Sequence, residues 1–494
     1  MPPAEETNHV YHLENSFASG IKKRPRGPRP RPIPTAQIPT SKSTPTSTKQ
    51  TIKPLSSIGS ALKVQAINYY KQNHLCTLED APELVKAVYD FPNILASLSD
   101  YPILDLAVTA IALATFSRAN ESPQAAVAAA ETYHLLLQVT QQTIFSLDEQ
   151  NIDISLLAIF FMGRYEQVVH TPVTHSESHP HRSQQLKLRL NIPLDSQSCI
   201  QSFSHHDGNL AILKSWKESS KGTIPATDVV KRVRRGMIRS ALLRNIALPE
   251  WIRYGEDFDE EGLGLEYDRL IVHIVDIRQQ LSGLEDERLK DGSLCPDSRA
   301  LACQLDKEAQ AVNQALQNWS TSFPDKWIYQ RYAISEHLSS PTKDFYSSTV
   351  LNHGSLGSAA IWNLYFGTRI LINSTLVQIL DLSSLVDKKN KRRSEYLAVI
   401  DETANDLASS IPYCRQIITV VDSVDAETKT SKKIAMLSTE DTEELYVGVT
   451  SVWPLSMASV LSRVEIKQRS WFRAELARIG RMIYDTVLEG AEVD

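Results

Sequence analysis

Residues 104–116 read LDLAVTAIALATF, and residues 122–145 read SPQAAVAAAETYHLLLQVTQQTIF. The first run is apolar on nearly every side, which marks a helix buried all round. The second opens with start signals. The Ser122 hydroxyl can accept from an orphan backbone N–H, and Pro123 suits the first helical position, where its missing N–H costs nothing. An Ala/Leu-rich run follows, made of residues that lose little freedom in a helix. Only a few residues join the two runs, so an antiparallel helical pair is expected.

The same pattern extends through the chain. Apolar-periodic segments at Ile154–Val169, Gly208–Lys217, Asp228–Ile246, Leu265–Leu281, Leu301–Trp319, Gly357–Leu382, Tyr396–Thr419, Asp441–Val464 and Trp471–Leu488 alternate with short polar breaks. Strand-like alternation bounded by turn residues is scarce, and 18 glycines in 494 residues is about half the usual share, against a turn-rich β fold. The expected fold class is all-α, a large multi-helix domain over residues 59–490 with no fixed-period repeat. Two breaks read as loops, residues 171–204 and 421–440, each rich in Ser, Thr and charges. Residues 1–58 are rich in Pro, Ser, Thr and Lys and read as a disordered arm, because they hold too little apolar surface to offset the entropy of ordering.

At 494 residues the chain exceeds what one core usually accommodates, so two lobes or one extended helical array are expected. Residues 1–53 hold nine Lys/Arg against three Glu, a net of +6; the whole chain carries −6, which leaves −12 on the remainder. A basic arm on an acidic body suggests a targeting or nucleic-acid-facing tail. The five cysteines, Cys76, Cys199, Cys295, Cys303 and Cys414, form no disulfide framework, which points to a reducing compartment. The N-terminus lacks the basic and apolar regions of a secretory signal. The most lipid-like run, residues 154–163 (ISLLAIFFMG), is half the length of a membrane span of about 20 residues, so a soluble protein without membrane partners is expected.

Three motifs carry possible chemistry. Asp228–Ile246 reads DVVKRVRRGMIRSALLRNI: Val230, Val233, Met237, Ile238, Ala241 and Leu242 form an apolar stripe, while Lys231, Arg232, Arg234, Arg235, Arg239 and Arg244 supply six positive charges. That basic face suits phosphates or an acidic partner. It equally suits plain solvation, or pairing with the acidic run Glu256–Glu261 (EDFDEE) downstream. The arm places Lys22, Lys23, Arg24, Arg26, Arg29 and Arg31 within ten residues, a nuclear-import or nucleic-acid pattern. Arg26-Gly27-Pro28-Arg29-Pro30 approaches a minor-groove hook, but Pro28 splits it. His170, His175, His179, His181, His205 and His206 cluster without metal-ligand spacing and read as an ordinary loop, with Asp207 a possible cap for the helix that follows. No metal or cofactor is expected, nor an enzyme, since no nucleophile elbow, phosphate loop or His-Glu-x-x-His is present. A terpene-synthase-like alternative would pair Asp257–Glu261 with Asn405–Ser409, yet its third magnesium ligand falls at Tyr413, and Pro412 interrupts the helix.

These residues together resemble the fungal-specific transcription factor domain, the helical regulatory region of fungal zinc-cluster regulators. The likeness rests on His206-Asp207-Gly208 with Leu210–Lys214, Lys231–Gly236, Arg239–Leu243, Pro249-Glu250-Trp251-Ile252, Trp362–Ser374, Ile411–Cys414 and Val452-Trp453-Pro454-Leu455. It covers roughly residues 60–490 and identifies a scaffold, not a chemistry. The resemblance implies a nuclear regulator of transcription, of the kind that in many relatives controls a metabolic or secondary-metabolite gene cluster. One departure matters. The family's Zn2Cys6 module needs six closely spaced cysteines, and none precedes Cys76. Cluster-dependent DNA reading is therefore not carried over; a protein partner, another transcription factor or a second copy, is expected to supply it, with DNA contact by this chain weak or indirect. The alternative is an all-α scaffold or enzyme that does not regulate transcription.

Overall fold

A computed structural model describes residues 57–74, 101–148, 151–169, 196–220, 225–334, 341–382, 386–424, 431–437 and 450–492. The arm residues Lys22, Lys23, Arg24, Arg26, Arg29 and Arg31, and His170, His175, His179 and His181, lie outside them.

The described body, within the unit Leu55–Asp494, is an all-α multi-helix array. In chain order its helices are α1 (Ser57–His74), α2 (Pro102–Ala119), α3 (Pro123–Ile144), α4 (Ile152–Val169), α5 (Ser196–Ser220), α6 (Asp228–Arg244), α7 (Glu250–Arg253), α8 (Gly262–Asp291), α9 (Pro296–Thr321), α10 (Leu356–Leu382), α11 (Val386–Cys414), α12 (Val452–Val460), α13 (Ile466–Ile483) and α14 (Thr486–Glu489). The expected hairpin is present. Ser122 Oγ accepts from the Ala125 N–H, Pro123 opens α3, and Glu121 turns the chain at a φ of 47°. Helix α2 is long and apolar enough to cross a membrane by length and composition, and 56% of it is buried among its neighbours in the body.

Helices α1 to α6 each pack on the next, α6 packs on α8, α8 to α11 again follow in sequence, α12 lies against α10 and α13, α13 against α14, and α14 returns to α4. Polar ties fasten that closure: Arg118 pairs with Glu489 at 2.9 Å, Arg164 with Asp485 at 3.1 Å, and Thr486 Oγ1 donates to the Gln167 carbonyl. One large contiguous apolar core runs through the described helices. Its centre is α10, which is buried on nearly every side, including the polar residues Asn363, Thr368, Asn373 and Thr375. Two glycines permit close approach. A Cβ on Gly367 would stand 2.9 Å from Pro454 Cα at the start of α12, and one on Gly480 would stand 2.4 Å from the Glu489 backbone nitrogen in α14.

Four strands depart from the expected pattern: β1 (Gln330–Ile334), β2 (Thr349–Asn352), β3 (Ile418–Val424) and β4 (Ser431–Leu437). They form one sheet in the order β2-β1-β4-β3, with β1–β4 parallel and the other pairs antiparallel. The expected helix Tyr396–Thr419 starts ten residues earlier, at Val386, and stops at Cys414. The β-branched run Ile417–Val421 then favours a pleated strand over another helical turn. Part of the expected loop 421–440 is thus a ladder, with Val420 opposite Ala435 and Val421 opposite Ile434. Residues 196–204, expected as loop, are helical and lengthen α5.

Candidate functional site

Helix α6 starts where Thr227 Oγ1 accepts from the Val230 N–H and ends at Asn245 in the left-handed conformation. Between these caps no residue from Lys231 to Asn245 is exposed. Its arginines therefore do not form a solvated face. Arg234 has no exposed surface: Nη1 donates to Asp268 at 2.7 Å, Nε to the Ile252 carbonyl at 3.0 Å and Nη2 to the Arg253 carbonyl at 3.1 Å. Arg235, 5% exposed, pairs with Glu260 and lies 3.6 Å from Asp268. Burial pushes the Glu260 carboxyl above its ordinary value, while Arg235 and Arg234 oppose the rise and Asp268 adds to it. Two arginines thus meet two carboxylates in the interior, and Glu260 belongs to the acidic run that offered internal partners.

The other arginines on α6 also have partners. Arg232 stacks 4.9 Å over the Phe160 ring, and Arg239 lies 5.8 Å from the Trp453 ring centre. Arg244 pairs with Asp207 at 2.6 Å. Asp207 is consequently no N-cap; it sits within α5 and ties that helix to the end of α6. Lys231 is half-buried. For Arg234 and Arg235 the basic-face reading is corrected on geometry: both are buried against Glu260 and Asp268, out of reach of any phosphate.

The buried cluster is linked to a surface cleft through Arg253. Arg253, whose carbonyl holds Arg234, grips Asp276 with its guanidinium, and Asp276 forms part of the wall of a cleft of about 900 Å³ between α8 and α9. Arg269, His273 and Gln280 line the same wall; Ala311 and Ala315 of α9 face it across a floor that includes Val312. Arg269 is held by Glu256, another member of the acidic run. The cleft offers mixed charge above an apolar floor, and its wall is mechanically joined to the α6 cluster.

A second polar group is fully interior. His353 and the Ser410 hydroxyl approach at 2.9 Å, Asn363 Nδ2 donates to Cys414 Sγ at 3.2 Å and to Ser451 Oγ at 3.3 Å, and burial lowers the His353 pKa to about 3. Its members are 4% exposed or less, so no substrate reaches them, and they pack the sheet side of α10 and α11.

The candidate ligands of the terpene-synthase alternative have other partners. Asp257 pairs with Lys217, Asp259 accepts from the Ala226 N–H, Asn405 accepts from Gln468, and Ser409 meets Thr349. His205 donates to Glu166 at 2.8 Å, and His206 is buried, its pKa lowered to about 4 by desolvation and by Arg244. Among the described residues no three His, Cys, Asp or Glu side chains stand together as metal ligands. Comparison with family models, curated proteins and solved structures gave no match for this chain.

Proposed function

We propose that the chain is a transcription regulator of the fungal type that has no DNA-reading module of its own and acts in the nucleus through a protein partner, in the setting of a metabolic or secondary-metabolite gene cluster. The observation that supports this reading is the inward turn of α6. The segment that carries most of the resemblance, Lys231–Leu243, spends Arg234 and Arg235 on internal carboxylates. That makes it an architectural element of a regulatory body and not a phosphate-gripping helix. DNA targeting then falls to the basic arm, which is suited to import and to nonspecific phosphate contact, and to a partner that reads base edges.

The arm gives the test. Replacing Lys22, Lys23, Arg24 and Arg26 by Ala in the tagged full-length protein is expected to shift it from nucleus to cytosol without lowering its stability. A stable variant that remains nuclear would remove the arm from the account.

A further inference from the structure

Four arginines in the described body are almost wholly enclosed, and three of them share one pattern. Arg234 lies between Glu260 and Asp268, Arg235 between the same two, and Arg415 between Asp344 and Glu475. Each buried guanidinium has two carboxylates, as expected when an isolated buried charge is so costly. Arg278 breaks the pattern. It sits on α8 among Ile274, Val275, Ile277 and Leu281 and is 8% exposed. Its one hydrogen bond is from Nη1 to the Thr375 hydroxyl of α10 at 3.2 Å, and Nε is buried with no acceptor. Among the described residues no carboxylate lies within ion-pair distance; the acid whose charge acts on it is Glu285, two helical turns along the same helix, and burial disfavours the charged form. A guanidinium cannot discharge itself by losing its proton in this pH range.

We infer that Arg278 is one side of a binding site for a small oxyanion, a carboxylate or an inorganic phosphate, held between α8 and α10. The planar fork matches such a group with two parallel N–H donors, and Nε is one of them. One hydroxyl can add a donor: Ser282, one turn beyond Arg278 on the same helix face and buried at 8% exposure, whereas Thr375 has already given its proton to the Leu371 carbonyl and serves to hold Arg278 Nη1. The site is independent of the regulator reading and lies one residue from Ile277 and two from Asp276, both in the wall of the α8–α9 cleft.

Thermal unfolding of the full chain at constant ionic strength tests this, with sodium chloride exchanged stepwise for acetate in one arm and phosphate in the other. The expected result is a saturable rise in Tm with one of the two anions, which identifies the class, and no rise in Arg278→Met. In chloride, Arg278→Met should be at least as stable as the parent, since it deletes an unpaired buried charge. If Arg278→Met does not fold, Arg278→Lys serves: it keeps the charge but loses the fork, and should need roughly tenfold more anion for half the rise. Equal responses in parent and variant would mean an adventitious ion only. No response in the parent would show that water satisfies Arg278. Either outcome overturns the site.

Discussion

Substituting Asp268 by Asn is the sharpest probe of the buried cluster. Asn preserves the shape and one acceptor but removes the charge, so two arginines would face Glu260 alone and the interior would carry a net positive charge. Asp268 lies 2.7 Å from Arg234 and 3.6 Å from Arg235, so both cations lose a partner at once. Breaking one partner out of a buried ion pair costs about 3–5 kcal/mol. Against a typical total of about 5–15 kcal/mol that is a large fraction. Urea is the right denaturant because it leaves electrostatics unscreened, and helical circular dichroism follows the transition. The expected result is a lower midpoint with unchanged slope. Adding Arg235→Met to the Asn variant restores the balance of charge, and the double variant should be less destabilised than the sum of the singles by about 1 kcal/mol or more. A loss below about 1 kcal/mol for Asp268→Asn would refute the reasoning, because it would mean that water reaches these arginines.

Two further outcomes follow from the interior. His353 has its pKa depressed to about 3, below the ordinary value of 6.5, so its contribution is present above pH 6.5 and is lost as pH falls toward 3. Between pH 6.5 and 5 the parent should lose about 2 kcal/mol more than His353→Gln, read as the pH dependence of the difference in urea midpoints. Gly480→Ala should cost about 1–3 kcal/mol by the same assay, since the added methyl meets backbone atoms of Leu488 and Glu489 that can yield only if α14 moves off α13.

The α2–α3 hairpin was legible because its cues are local: Ser122 and Pro123 state the helix start, and an apolar run cannot have a wet face. The sheet was not, because β1 and β2 hold only five and four residues, and the pairing that joins them to the β3–β4 ladder sets Ala333 opposite Ile434, about a hundred residues away. The burial of α6 was half legible. Its sequence allowed an internal acidic partner in Glu256–Glu261, and Glu260 is one, but nothing local marks Asp268 as the second. The His353–Ser410 contact joins residues 57 positions apart and left no local trace. Arg278 had a signal that was available: it stands at a core position of the α8 apolar pattern, where a charge conflicts with the period.

On the proposed reading this chain carries no element that reads base edges, and fluorescence anisotropy of the pure full-length protein on several labelled duplexes at physiological salt bears on that most directly. The account predicts weak binding of equal strength on each duplex and its scrambled version, falling steeply as salt is raised, because only phosphate contacts by the basic arm remain. Nanomolar binding that strongly prefers one sequence over its scrambled version would contradict it.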